Sequence, residues 1–246
     1  MNRIRKLRRK ILFRIVYPFY LWIKVMRLKR KKQINIVFIA MSLSMWRYQR
    51  IYELLSRHPR FKVSVVILPC MQYSEDQQNF DINTLKSYFD SLHFQYYVGG
   101  KNSALDIRKM LSPDILFYPQ PYPGVFSPKD DYFSFRDLLL CYSPYAFWDA
   151  SGDWSYNELL HNYAWKLFYA TELHRKEAQK IAYNKGRNVE VVGYSNTDNF
   201  LYSVHKDVWK LQTTRMKRVI WAPHFSIFSG GPTMQSNFLW MAESML

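Results

Sequence analysis

The chain has 246 residues, two cysteines, 18% aromatic residues and a formal charge of +16. That length holds one large domain or two small ones with a sizeable core; Cys70 and Cys141, far apart and without a CxxC, point to neither a disulfide framework nor a thiolate metal site, and fit a reducing cytoplasm. The charge is concentrated: thirteen Lys and Arg and no acidic residue occupy positions 1–32, and residues 33–246 carry a balance of only +3. A near-neutral globular body thus follows a segment built to reach an anionic surface.

Residues 1–33 read as a basic amphipathic helix. Arg3, Arg5, Lys6, Arg9, Lys10, Arg14, Lys24 and Arg27 fall on one side of a helical wheel, and Ile4, Leu7, Ile11, Ile15, Phe19, Trp22 and Met26 follow 3- and 4-residue spacing along the other; Arg8 breaks the pattern. Tyr17, Tyr20 and Trp22 suit the headgroup boundary. The uncharged run 15–23 contains Pro18 and falls far short of the ~20 residues that span a bilayer, and no small-residue cleavage site follows it. The segment is expected to lie peripherally on the cytoplasmic face of the cell membrane, with Arg3, Arg5, Lys6, Arg9, Lys10 and Trp22 as its contacts. Basic arms also track nucleic-acid backbones; that reading is disfavoured because residues 33–246 are close to neutral and carry no base-reading motif.

From residue 34 short apolar runs alternate with amphipathic stretches. Strands are expected at 35–40, 61–68, 94–98, 114–118, 138–142, 166–170 and 189–192, and helices at 44–57, 82–92, 104–111 and 172–184. Repeated βα units with fully apolar strands imply a Rossmann-like parallel sheet with helices on both faces, its ligands bound outside the carboxyl ends of the strands.

The first βα turn, Ala40–Trp46, contains no glycine, so the GxGxxG dinucleotide fingerprint is absent. Gly99-Gly100-Lys101 reads as a strand-to-helix turn and not a phosphate loop. The chemically richest stretch is 142–174, where Asp149, Asp153, Glu158, His161 and His174 stand among Trp and Tyr between two expected strands. Loops at strand ends carry bases and phosphate-contacting groups, which makes His161 the candidate base and Asp153 a candidate substrate contact; the alternative is that the aromatics pack a long connection and His161 is a hydrogen-bonded core residue. Asp149 and Asp153 could share a helical turn as a metal pair, but Gly152 and the lack of a neighbouring His argue against it.

Two segments near the C-terminus carry a family resemblance. VEVVGYSNTDNFL at 189–201, followed by RVIWAPHF at 218–225, resembles the paired motifs of the CDP-glycerol glycerophosphotransferase family, which builds glycerol-phosphate polymers such as teichoic acids. Ser195 stands where the family motif has proline. The stretches 34–55 and 113–122 also look like a branch of that family associated with surface polysaccharides. The resemblance implies the N-terminal half of a two-domain GT-B fold: an N-terminal domain at 34–203, a linker at 204–217, and the start of a second Rossmann-like domain at 218–246. It further implies that a hydroxyl of a lipid-linked polymer acceptor attacks CDP-glycerol and CMP leaves, with CDP-glycerol as donor substrate and no cofactor. Gly193, Tyr194, Asp198 and His224 would then contact substrate.

Two departures qualify that expectation. A Trp-His-Gly-like segment whose histidine serves the family as base has no counterpart in 140–148, which leaves the role to His161. Only about thirty residues follow Arg218, too few for an α/β domain, so the chain is expected to be a truncated transferase, inactive or nearly so by itself. A GT-B glycosyltransferase using a nucleotide sugar and a non-catalytic, membrane-attached polymer-binding module are the alternatives, because a fold does not settle donor chemistry. The sequence sets no oligomeric state.

Overall fold

A computed structural model describes residues 3–100, 103–147, 152–197, 219–223 and 236–245. Seven apolar runs become strands: β1 (Ile34–Ala40), β2 (Phe61–Ile67), β3 (Tyr96–Val98), β4 (Ile115–Tyr118), β5 (Leu139–Tyr142), β6 (Lys166–Tyr169) and β7 (Val189–Val191). They form one sheet in the order β3-β2-β1-β4-β5-β6-β7, and every pairing is parallel. The chain runs outward from β1 through β2 to β3, then returns to the other side of β1 with β4. That reversal makes the carboxyl ends of β1 and β4 the topological switch point.

Period-two alternation sends neighbouring residues of one strand into two cores. Val37 and Ile39 of β1 pack with Leu116, Leu140 and Leu167 on one face. Ile36 and Phe38 pack with Phe117 and Cys141 on the other. The first core is covered by helices α5 (Ile107–Leu111), α6 (Asp153–Tyr156), α7 (Leu159–Tyr163) and α8 (Glu172–Ile181). The second is covered by α2 (Tyr17–Lys29), α3 (Gln49–Ser56) and α4 (Glu75–Ser91). Cys70 and Cys141 are free and buried, and the Rossmann-like α/β reading holds.

Two helices and one strand differ most from the sequence expectation. The helix expected at 44–57 divides into a 3-10 turn at Leu43–Met45 and α3, because Trp46 and Tyr48 between them turn into the second core. Helix α4 begins seven residues before the expected 82, where the Ser74 hydroxyl accepts the Gln77 N–H and Glu75 and Asp76 occupy the positive first turn. The strand expected from residue 94 starts at Tyr96, since Phe94 leaves the sheet line to stack on Tyr52 at 3.9 Å.

The N-terminal segment is helical from Arg3 to Lys29, as α1 (Arg3–Ile11), a π-helical turn (Leu12–Val16) and α2. Its docking partners all precede strands. Arg14 Nε donates to the Tyr183 carbonyl ahead of β7; the Tyr17 hydroxyl is within hydrogen-bond reach of the Tyr163 and Arg136 carbonyls ahead of β6 and β5, and Tyr20 donates to the Asp137 carbonyl. Lys31 pairs with Asp114 at 2.6 Å ahead of β4, and Arg60, ahead of β2, donates to the Lys29 carbonyl. The helix therefore crosses the amino-terminal edge of the sheet from β7 toward β2. Pro18 has no N–H to offer the Arg14 carbonyl one turn earlier, and Arg187 Nη1 donates to that carbonyl at 3.1 Å.

The chain divides into two compact units, 1–203 and 204–246. In the second, residues 219–223 form no regular element, and the apolar stretch beyond 236 forms a helix at Phe238–Met245. Trp221 stacks on Phe238 with ring centroids 5.4 Å apart.

Candidate functional site

The carboxyl ends of the strands in the first unit enclose a cavity of about 420 Å³. Its walls come from the segment after β1 and from α3 (Arg47, Tyr48, Arg50, Ile51, Leu54), from Phe117 and Phe168 within the sheet, from Ser143 after β5, and from 192–197 after β7. Tyr48 fixes the floor. Its buried hydroxyl donates to the Tyr118 carbonyl at 2.6 Å and accepts the Ser143 N–H at 3.1 Å, tying the ends of β4 and β5 together. Burial raises the phenol's pKa, so it stays a neutral donor.

Two arginines give this cavity a positive wall. Arg47 is held in place by its own hydrogen bonds, Nε to the Tyr145 carbonyl at 2.8 Å and Nη1 to the Trp46 carbonyl at 2.9 Å. Arg50 stands in the first turn of α3, with Glu53 3.4 Å away. Opposite them the chain leaves β7 through Gly193, whose φ of +86° is open to glycine and strained for other residues. Tyr194 follows, and the Thr197 N–H and hydroxyl both donate to its carbonyl at 3.0 and 2.6 Å, closing a turn.

A narrower recess adjoins this cavity, sharing Ser143, Phe168, Gly193 and Tyr194 with it and adding Phe147, Tyr169 and His174. His174 reaches it by local rules. Thr171 caps α8, its hydroxyl accepting the His174 N–H, and the same oxygen lies 2.7 Å from His174 Nδ1. Position three of a helix that starts directly after β6 faces the carboxyl edge of the sheet. Phe147 packs edge-on against His174 at 5.3 Å and against Tyr194 at 5.8 Å, forming an aromatic wall between them.

His161, expected as the base, sits elsewhere. It is 0% exposed in α7, which leads into β6, with its ring 5.7 Å from that of Tyr142 in the buried core, and it lines neither the cavity nor the recess. Its Nδ1 accepts the Glu158 N–H at 3.1 Å, and its carbonyl accepts from Asn184 and Asn188 at 3.3 and 2.9 Å. Burial pushes its pKa down to about 3. An imidazole so placed organises the loops ahead of β6 and β7 and has no route to a substrate.

The remaining expected contacts divide. Gly193 and Tyr194 line the cavity. Asp153 is exposed in the first turn of α6 and is not part of either wall. Asp149, Asp198 and His224 lie outside the described residues. Among those described, no group of three His, Cys, Asp or Glu side chains is arranged to hold a metal ion. At Gly99 a Cβ would stand 2.7 Å from Leu68 Cδ2 and 3.3 Å from Leu105 Cδ2, so the glycine leaves room for those side chains at the end of β3. Arg47 and Arg50 drew no attention in the sequence, and His174 was named within the rich stretch 142–174 without a role.

The chain is a Rossmann-like α/β protein. No family model matches it, and no curated protein sequence matches it. Two solved structures are similar in chain path. A UDP-N-acetylglucosamine 2-epimerase shares 12% identity at a TM-score of 0.47, covering 73% of this chain and 53% of its own. The UDP-GlcNAc 2-epimerase from Neisseria meningitidis, bound to UDP-GlcNAc, shares 12% at 0.42, covering 70% and 50%. This chain thus spans about half the length of either. The likeness carries no argument about substrate, and the CDP-glycerol reading rests on the sequence motifs.

Proposed function

We propose that this chain is the acceptor-binding part of a phosphotransferase that moves glycerol phosphate from CDP-glycerol to the terminal hydroxyl of an anionic, phosphate-containing polymer. The observation that carries the reading is the pairing of an arginine wall with an imidazole recess at the carboxyl edge of one parallel sheet. Arg47 and Arg50 would hold an acceptor phosphate through charge-assisted hydrogen bonds. His174, whose Nδ1 lies 2.7 Å from the Thr171 hydroxyl, would act as general base toward the attacking hydroxyl. The hydroxyl oxygen then bonds the β-phosphorus, the bond from that phosphorus to the oxygen bridging it to the α-phosphorus breaks, CMP departs, and the imidazole holds the proton. Gly193 and Tyr194, the two residues of the family-like motif that line the cavity, support assigning that motif to the same site.

The test is binding and turnover with a short glycerol-phosphate oligomer. Native chain should bind it, and the double substitution Arg47→Ala, Arg50→Ala should weaken binding by at least about tenfold, the value of one charge-assisted hydrogen bond. Release of CMP from CDP-glycerol by a transferase that carries this chain together with a donor-binding half, lost in His174→Ala, would carry the enzymatic part. Release of UDP or GDP from a nucleotide sugar would move the chain to the glycosyltransferases, and oligomer binding that ignores both arginines would refute the site.

A further inference from the structure

The helical strap Arg3–Lys29 has two faces, and only one has a partner. Phe13 and Tyr17 are buried against Tyr163 and Tyr183, and Leu21, Val25 and Leu28 pack on the sheet's second core. On the other side Ile4, Leu7, Ile11, Ile15, Phe19, Trp22 and Met26 are all exposed, Phe19 at 63% and Trp22 at 58%, with their two rings stacked at 5.9 Å. This stripe follows the whole strap, about 40 Å at 1.5 Å per residue, and a continuous exposed apolar surface of that kind marks an interaction site.

The π-helical turn keeps the stripe in line. From Leu7 the apolar residues recur at steps of four, to Ile11, Ile15 and Phe19. In a continuous α-helix of 3.6 residues per turn three such steps would carry the row about a third of the way round the axis. The wider turn at Leu12–Val16 takes up that drift, so residues before and after it face the same way while Phe13 and Tyr17 stay on the docked side.

Charge identifies the occupant. Thirteen Lys and Arg and no Asp or Glu lie within residues 1–32, and Arg3, Arg5, Lys6 and Lys10 are exposed beside the stripe. The partner is therefore anionic and apolar together. A nucleic acid would satisfy the cations and leave the stripe in water; an apolar protein groove would do the reverse. No described helix is long and apolar enough to cross a membrane. We infer that the strap is an in-plane docking surface for an anionic lipid leaflet, with the Ile4 to Met26 stripe entering the acyl boundary and the basic side chains on lipid headgroups. This inference is independent of the transferase reading.

The experiment is sedimentation of the full chain with phosphatidylcholine vesicles containing or lacking phosphatidylglycerol. Binding should require phosphatidylglycerol and weaken with salt. Phe19→Glu with Trp22→Glu, at positions exposed enough to leave the melting temperature unchanged, should reduce partitioning at least about tenfold. Reversal of Arg3, Arg5, Lys6 and Lys10 to Glu should abolish it. Undiminished vesicle binding by the Phe19/Trp22 variant would overturn insertion of the stripe. Absence of vesicle binding, whether with RNA binding or with self-association of the chain in its place, would overturn the lipid surface.

Discussion

Replacing Phe13 with alanine should detach the strap and leave the sheet standing. Phe13 is 1% exposed, edge-on to Tyr163 at 4.9 Å, with Tyr17 and Tyr183 at 6.3 and 6.4 Å. Truncating a ring in such a site costs about 3–5 kcal/mol, the lost transfer energy together with the cavity left behind. What remains around the π-helical turn is mainly hydrogen bonding through Arg14, Tyr17 and Tyr20, each worth about 1 kcal/mol net. Local opening should then become easier by about two to four orders of magnitude, at a factor of ten per 1.4 kcal/mol. Hydrogen exchange followed by mass spectrometry reads this directly. Peptides covering 12–20 should exchange that much faster in Phe13→Ala, and those from β1 at the native rate. Phe13→Leu should recover most of the protection. Native-rate exchange at 12–20 would refute the docking, and equal acceleration in β1 would mean that strap and sheet open as one unit.

Other expectations concern the two histidines and the cavity floor. In a transferase that carries this chain together with a donor-binding half, His174→Ala should lower turnover of CDP-glycerol by about 10²–10⁴-fold, the usual effect of losing a general base, with oligomer affinity little changed; His161→Asn should leave turnover intact in the folded fraction. Because burial holds the pKa of His161 near 3 against 6.5 unfolded, the unfolded chain binds the extra proton between those values. Stability from this group is therefore complete above pH 6.5 and declines as pH falls toward 3, by about 2 kcal/mol between pH 6.5 and 5. Urea midpoints should show that decline in the native chain and a smaller one in His161→Asn; parallel declines would contradict the assignment. Tyr48→Phe should cost about 1–3 kcal/mol, since it strips partners from the Tyr118 carbonyl and the Ser143 N–H at once, and a shift in the urea midpoint measures it.

Seven strands were readable as short, mostly apolar runs, the central ones β1, β2, β4 and β5 buried on both faces for most of their length, and their ends fell within about two residues of the observed ones. Helix α4 could have been placed correctly too: Ser74-Glu75-Asp76-Gln77 is a capping signature, but the polar residues that follow it hide the apolar period. The histidines show a different limit. His161 and His174 lie in equally aromatic sequence, one before the strand expected at 166–170 and the other after it, and only the packing shows which of them lines a recess. Thr171 and Glu172, directly after a predicted strand, were the signal that His174 would open a helix at the ligand-bearing edge. The arginine wall had no local sign, since Arg47 and Arg50 meet residues 192–197 only through the crossover of the sheet.

The strap lies along the amino-terminal edge, and the cavity opens at the other end. Strand β1 contributes seven residues between these edges, about 20 Å of separation at 3.3 Å each. A chain resting on lipid by its strap would hold its crevice at that height above the headgroups. Such a scaffold works as a standoff gauge. It would pass over acceptors too short to reach the crevice and engage those whose free end already projects beyond it, so that a lower limit on substrate length would follow from the height of one parallel sheet.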